Sequence, residues 1–279
     1  MEYQGALQKM NTEYGETIQY YLELEHDFIH FNQVIGKKVG LRFEKYQCVS
    51  CSKNKKIFRQ GFCYDCFYQQ PQAGEWILKP ELSTAHLGIE DRDLEYEKAV
   101  QLKPHIVYLA LSSDVKVGVT RKTQVPTRWI DQGANEALAI LEVPNRYLAG
   151  VAEVALKEFV SDKTSWQKML KNDVVQVDLK EKLATLIDYL PEEVLPYLKD
   201  TSEPIYNLSY PIATYPTKVK SLNIVAKQEY EGVLQGIKGQ YLIFEDGTVF
   251  NVRNNEGVVV TLNIEKHTST KKEPTQTLI

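Results

Sequence analysis

All four cysteines of this 279-residue chain lie in one short stretch, and they constrain the fold more than any other feature. They form two CxxC pairs, CVSC and CYDC, which are separated by SKNKKIFRQGF. Each CxxC turn brings two sulfurs to the same side of the backbone, so two such turns can surround one Zn²⁺ tetrahedrally. Four protein sulfurs leave no open coordination position for catalysis. The sequence therefore predicts a structural zinc site with the ligands Cys48, Cys51, Cys63 and Cys66.

Charge and hydropathy narrow the class of protein. The N-terminus lacks a basic patch followed by an apolar stretch, and no apolar run approaches the roughly 20 residues that cross a bilayer. We therefore expect a cytoplasmic protein with no membrane partner, whose cysteines are reduced rather than paired in disulfides. The net charge of -4 argues against a wholly basic nucleic-acid binder but permits a local basic groove. The segment between the two cysteine pairs is basic, and it forms either a nucleic-acid-binding surface or an ordinary solvated loop. Its cations are Lys53, Lys55, Lys56 and Arg59.

Alternating patterns at both ends and helical spacing in the middle predict an α+β protein. IQYYLELEHDFIHFNQ and KKVGLRFEKYQ are typical of two strands joined near Gly36, and Asp246–Gly247 is a hairpin signal near the C-terminus. The two outer β-rich segments could combine around the middle one. The predicted units are a β-rich segment with a four-cysteine zinc module (1–80), a connector (81–104), an α+β domain with a helical extension (105–200), a C-terminal β-rich domain (201–268) and a flexible tail (269–279).

The stretch VYLALSSDVKVGVT, residues 107–120, predicts a hairpin with an SSD turn. Pairing Leu111 with Val115 places the apolar residues of both strands on one face. On the other face Tyr108 lies opposite Gly118 and Ala110 lies opposite Lys116. Because Gly118 has no side chain, it leaves room beside the tyrosine ring. EALAILEVPN predicts a third strand, and RYLAGVAEVALKEF predicts the clearest helix of the chain. By itself this pattern fits an ordinary half-exposed sheet.

The order of the motifs resembles the GIY-YIG nuclease superfamily. IVY (106–108) is similar to its first motif and KVG (116–118) to its second, and both are followed by Arg128 in PTRW and Glu153 in AGVAEVALKEF. The resemblance covers roughly residues 105–170 and implies a small three-stranded antiparallel sheet with flanking helices. More narrowly, VGVTR, RWIDQGA and GFCYDCF look like an uncharacterised bacterial family that joins a cysteine-rich segment to such a domain.

The resemblance implies phosphodiester hydrolysis of nucleic acid, with DNA favoured over RNA. Tyr108 would take the proton of the attacking water. Nearby cations, with the help of Lys116, would lower the pKa of the Tyr108 phenol for this role. Arg128 would contact the scissile phosphate, and Glu153 would hold Mg²⁺ or Mn²⁺. The residues expected to contact substrate are Gly118, Thr120 and Trp129.

Departures from the family pattern keep other interpretations open. Lys116 replaces the second tyrosine, and Gln132 stands where a histidine is usual. Glu153 could instead form a surface pair with Lys157, with Glu158 as the alternative carboxylate, and Trp129 fits a core anchor better than a stacking surface. The alternatives to a hydrolase are a catalytically inactive nucleic-acid-binding or adaptor protein of the same fold, and a zinc-stabilised protein-interaction module. Convergence of Tyr108, Arg128 and Glu153 on one open cleft would favour the hydrolase.

Overall fold

A computed structural model describes residues 1–160, 165–200 and 202–265 of the chain. The predicted tail, residues 269–279, lies outside this described part. The N-terminal segment is mainly β-structure, as its alternating pattern predicts. Its elements are β1 (Glu2–Ala6), β2 (Asn11–Glu13), β3 (Gln19–Leu24), β4 (Asp27–His30), β5 (Lys38–Tyr46), β6 (Ile57–Arg59), β7 (Phe62–Cys63) and α1 (Tyr64–Gln69).

The middle and C-terminal segments supply the remaining strands and most of the helices. The middle elements are α2 (Leu94–Gln101), β8 (His105–Leu111), β9 (Val115–Arg121), α3 (Thr127–Asp131), β10 (Glu136–Val143), α4 (Arg146–Lys157), α5 (Trp166–Lys171) and α6 (Leu179–Leu186). The C-terminal elements are β11 (Tyr206–Asn207), β12 (Lys220–Ser221), α7 (Ile224–Lys227), β13 (Glu229–Lys238), β14 (Tyr241–Phe244), β15 (Thr248–Asn251) and β16 (Val258–Ile264).

Short 3-10 helices connect several of these elements, and four of them lie between α1 and α2. They span Phe31–Val34, Pro71–Ala73, Glu75–Ile77, Pro80–Leu82, Ala85–Leu87, Lys122–Gln124, Ile187–Tyr189, Leu195–Tyr197 and Arg253–Asn255.

Strands from the two ends of the chain form one seven-stranded sheet, in the order β1-β16-β5-β13-β14-β15-β12. The expectation that the outer β-rich segments combine is therefore confirmed, whereas the domain boundaries themselves stay a prediction. The first predicted strand is wrong in one respect, because it is a hairpin of β3 and β4 that turns at Glu25, where φ is 51°. A glutamate rarely adopts this left-handed conformation, so the sequence carried no turn signal there.

The middle sheet has the order β11-β10-β8-β9, so it has four strands rather than the predicted three. The added strand β11 comes from the C-terminal segment and pairs with β10. Between β8 and β9 the register is as predicted, with Leu111 opposite Val115 and Tyr108 opposite Gly118. Alternation on both strands and the SSD turn specify the same pairing, which explains why the register follows from sequence.

Both faces of the middle sheet are covered. On one face Val107, Leu109 and Val117 pack with the apolar residues of α4 and α6 in one core. On the other face Tyr108 and Ala110 belong to the larger core that the outer segments build. Every residue of β8 is buried in consequence, so the half-exposed sheet that the hairpin pattern alone favours does not occur.

Candidate functional site

The four cysteines come together as predicted. Their sulfur atoms all lie within 4.8 Å of one another, and the Sγ atoms of Cys51 and Cys63 are 3.9 Å apart. Tetrahedral zinc with Zn–S bonds of about 2.3 Å needs sulfurs about 3.8 Å apart, so Cys48, Cys51, Cys63 and Cys66 fit one Zn²⁺ with little movement. Four thiolates this close would repel one another strongly, which favours a bound dication. The four cysteines can therefore hold one metal ion such as zinc, and four sulfur ligands are typical of structural rather than catalytic zinc sites.

The backbone around the cluster already favours a thiolate. Burial would raise the pKa of the Cys48 thiol, but hydrogen bonds from the backbone N–H groups of Cys51, Cys63 and Ser50 bring that pKa to about 6. The N–H of Cys63 donates to the Cys48 sulfur at 3.3 Å. Gly61, with a φ of 77°, makes the tight turn before the second pair of cysteines.

The floor of the second site is the contact between Tyr108 and Gly118. A Cβ atom on Gly118 would lie 2.6 Å from the Tyr108 hydroxyl oxygen and 2.7 Å from Cζ, far inside van der Waals contact. The absence of a side chain at Gly118 therefore lets the phenol lie flat over β9. Because the phenol fills this space, Gly118 positions Tyr108, and the structure does not place it where a substrate could touch it.

Gln132 joins Tyr108 to Arg128. With its amide oxygen facing the guanidinium, Gln132 accepts from Nε and Nη2 of Arg128 at 3.2 and 3.3 Å, and its nitrogen donates to the Tyr108 hydroxyl at 3.0 Å. This orientation satisfies the network better than the reverse, which turns the amide nitrogen toward a guanidinium that can only donate. The residue that replaces the expected histidine thus holds the phenol and the arginine together.

Lys116 and Glu153 lie within electrostatic reach of this pair. Burial, and to a smaller extent Arg128, lowers the pKa of the half-buried Lys116 to about 8, while Glu153 opposes that shift. Burial raises the pKa of Glu153 to about 7, although Arg146 and Arg128 counteract it. The predicted surface pair of Glu153 with Lys157 is not formed in the described part of the chain. An acid and a base with perturbed pKa values close to an arginine are typical of functional sites.

Tyr108 departs from its expected role as a proton acceptor. Its side chain is completely buried, and burial raises its pKa although the Arg128 charge and hydrogen bond act to lower it. The expectation that nearby cations depress this pKa is wrong, because desolvation of the phenolate outweighs their attraction. Tyr108 is therefore a neutral phenol that orients Gln132 and Arg128.

Trp129 and Thr120, which are expected to contact substrate, are both buried. Trp129 is fully buried, with its ring 5.8 Å from the Tyr108 ring and 5.0 Å from the Tyr206 ring, so it offers no free face for a base. This corrects the expectation that Trp129 contacts substrate and supports the core interpretation. Thr120 is 3% exposed, and within the described residues its buried hydroxyl has no hydrogen-bond partner.

Arg128 and Thr120 are among the residues that line a cleft of about 550 Å³, which the sequence did not predict. We call it the arginine cleft, because five arginines from five different parts of the chain line it. Among the described lining residues Glu256 is the one carboxylate, so the cleft carries a strong positive charge that suits a polyanion. Its size lies within the range of ordinary ligand sites. The five arginines are Arg59, Arg121, Arg128, Arg146 and Arg253.

Arg146 is a functional candidate that sequence reasoning missed. Its Nε donates to the carbonyl of Trp76 at 3.0 Å and its Nη2 to that of Ile77 at 2.8 Å, which ties the 3-10 helix Glu75–Ile77 to the first turn of α4. A signal was present, because a cation at a helix N-terminus opposes the helix dipole and needs another reason to be there. Glu158, the alternative carboxylate, lies on an exposed surface at the C-terminal end of α4. Arg128 lines the cleft, but Tyr108 and Glu153 are not among its described lining residues, so the three do not converge on this one open cleft.

No helix within residues 1–160, 165–200 and 202–265 combines the length and apolarity that a bilayer crossing requires.

Comparisons with known proteins identify a family profile that matches the chain, but they indicate no function. No curated protein and no solved structure matches the chain. The resemblance to GIY-YIG nucleases accordingly stays a prediction. The profile described as Protein of unknown function (DUF2797) matches residues 36–260, which is most of the sequence and includes both candidate sites. The chain therefore belongs to the DUF2797 family.

Proposed function

We propose that the chain is a cytoplasmic nucleic-acid-processing enzyme, a Mg²⁺-dependent phosphodiester hydrolase of GIY-YIG type with a structural zinc site. One observation carries the proposal: Tyr108, Gln132 and Arg128 form a connected network with Lys116 and Glu153 beside it, and Arg128 opens onto the arginine cleft. An ordinary buried sheet has no need for this combination of charges. DNA is the favoured substrate.

Each residue has a role that its surroundings support. The Arg128 guanidinium matches two oxygens of the scissile phosphate and stabilises the charge that develops there. Lys116 accepts the proton of the attacking water, since a pKa of about 8 makes its neutral amine available near neutral pH. The water oxygen bonds to phosphorus as the bond from phosphorus to the leaving oxygen breaks. Tyr108 and Gln132 hold Arg128 in place.

Glu153 fits the role of a metal ligand. Within the described residues its carboxylate makes no hydrogen bond or ion pair, and burial raises its pKa to about 7, so a cation would find an uncommitted ligand. Mg²⁺ commonly uses one or two carboxylates and completes its shell with water and substrate phosphate. A divalent ion bound there would supply neutralisation of the phosphate charge.

The complete burial of Tyr108 favours a second candidate, a protein that binds nucleic acid at the arginine cleft without cleaving it. In this case Tyr108, Gln132 and Arg128 would be a structural network that keeps Arg128 in the cleft wall. Salt-sensitive binding without cleavage would support this candidate.

Purified protein incubated with Mg²⁺ or Mn²⁺ and labelled single-stranded, duplex and branched DNA and RNA tests the proposal. We expect cleavage of at least one DNA form, and its loss in Glu153→Gln. Glu158→Gln is the matched control, because it alters a carboxylate of the same helix region on an exposed surface. Absence of cleavage by the wild type on every substrate, or equal rates for Glu153→Gln and wild type, would overturn the enzymatic claim.

A further inference from the structure

The zinc module carries three exposed aromatic rings in one cluster, which we call the aromatic platform: Phe58, Tyr64 and Tyr68. Their exposed fractions are 40%, 60% and 54%. Tyr64 and Tyr68 lie one turn apart on α1 with ring centroids 4.9 Å apart, and the Phe58 ring lies 5.2 Å from that of Tyr64. Contiguous exposed apolar surface of this kind marks interaction sites more often than chance.

The aromatic platform is continuous with the arginine cleft through one residue. The Arg59 guanidinium carbon lies 5.3 Å from the centroid of the Phe58 ring, within cation–π distance, and Arg59 also lines the cleft. Flat apolar rings and clustered guanidinium groups therefore share one surface, with Arg59 at the junction.

A single-stranded nucleic acid matches this combination. Unpaired bases offer flat faces that stack on aromatic side chains, and their phosphates follow a positively charged groove. A duplex hides those faces inside its own stack, and an acidic peptide has charge without regularly spaced rings.

We propose that the aromatic platform and the arginine cleft form one track for single-stranded nucleic acid, with unpaired bases on the platform and backbone phosphates in the cleft. The inference rests on the proposed function in that it names the form of nucleic acid which that site receives. It does not require hydrolysis, because the track serves the binding protein equally well.

Fluorescence anisotropy with a labelled DNA strand of about 15 nucleotides, and with its duplex, tests the track. The assay uses the full chain without added Mg²⁺ or Mn²⁺ and without a chelator, so that no cleavage occurs and the zinc module stays loaded. We expect the single strand to bind more tightly than the duplex. Replacing both rings, Tyr64→Ala with Tyr68→Ala, should weaken single-strand binding about 10-fold or more.

Matched variants separate stacking from charge and from misfolding. Tyr64→Phe with Tyr68→Phe keeps both rings and should bind as the wild type does. Phe28 in β4 is 63% exposed and stacks on Tyr21 of β3, and it is not among the described residues that line the arginine cleft. Phe28→Ala should therefore also leave binding unchanged. Arg59→Ala should reduce the slope of log affinity against log salt by about one.

Any one of several results would overturn the track: equal affinity for single strand and duplex, a loss below about twofold in the Tyr64 and Tyr68 double alanine variant, or an equal loss in Phe28→Ala. Tight binding of poly-glutamate that is insensitive to the rings would also overturn it, because charge alone would then explain binding. If the protein cleaves nucleic acid but the Tyr64 and Tyr68 double alanine variant binds as well as wild type, the proposed function stands and the track does not. If binding depends on the two rings but no cleavage occurs, the track stands and the hydrolase does not.

Discussion

Replacement of Gly118 by alanine tests the geometry at the floor of the candidate site. The new Cβ atom would lie 2.6 Å from the Tyr108 hydroxyl oxygen, 2.7 Å from Cζ and 3.1 Å from Cε2. These atoms cannot withdraw, because Tyr108 is completely buried and packs against Trp129. Overpacking of this kind costs about 1–3 kcal/mol of the free energy of unfolding.

The sign of the effect should reverse when the phenol is shortened. In a Tyr108→Leu background the three clashing atoms are gone, and alanine is favoured over glycine inside a strand by roughly 0.5–1 kcal/mol. Gly118→Ala should therefore destabilise the wild type and be neutral or stabilising in Tyr108→Leu. Urea unfolding of the four proteins measures both values as a double-mutant cycle. Equal destabilisation in both backgrounds would refute the reasoning that Gly118 exists to accommodate Tyr108.

Three further predictions concern pH and metal. Because Lys116 must lose a proton before it can accept one, kcat/KM should rise with pH through about 8. Lys116→Arg should abolish both this rise and most of the activity. A flat pH profile of kcat/KM for the wild type would contradict the base role. Metal analysis should find one zinc per chain, and Cys48→Ser or chelation should lower the melting temperature, whereas unchanged melting would contradict a structural metal. Burial lowers the pKa of Lys238 to about 7, so between about pH 7 and pH 10 the native state binds fewer protons than the unfolded state. The free energy of unfolding should therefore rise as the pH is raised from 7, by at most about 1.4 kcal/mol per pH unit. Urea unfolding at several pH values should show this rise, and a smaller rise in Lys238→Met.

Local patterns predicted the hairpin and the metal cluster well. The register of β8 and β9 follows from alternation on two strands joined by a short turn, and the cysteine cluster follows from two CxxC turns. In both cases the interacting residues are close in sequence, so their pairing depends on little else.

Features assembled from distant segments could not be predicted in the same way. The arginine cleft draws Arg59 from the zinc module, Arg121 and Arg128 from around β9 and α3, and Arg253 from the C-terminal segment. No spacing rule relates these positions, because only the tertiary fold brings them together. The burial of Tyr108 has the same origin, since the outer segments cover a face that the hairpin alone would leave half exposed.

The pKa of Tyr108 shows why charge pattern alone was misleading. The cations expected near the phenol predict a lowered pKa for Tyr108. Desolvation depends on how completely neighbouring segments exclude water, and for Tyr108 it exceeds the effect of Arg128. Burial also lowers the pKa of Lys116 toward its neutral form, which is why we propose Lys116 rather than Tyr108 as the base.

The central claim is that Arg128, held by Gln132 and Tyr108, stabilises the transition state of phosphodiester cleavage. Single-turnover cleavage of a labelled DNA strand with Mg²⁺, with affinity measured in parallel, tests it most directly for wild type and Arg128→Ala. We predict that wild type cleaves and that Arg128→Ala cleaves about 100-fold or more slowly, while its affinity changes far less. Equal cleavage rates for the two proteins, or binding by wild type without any cleavage, would contradict it.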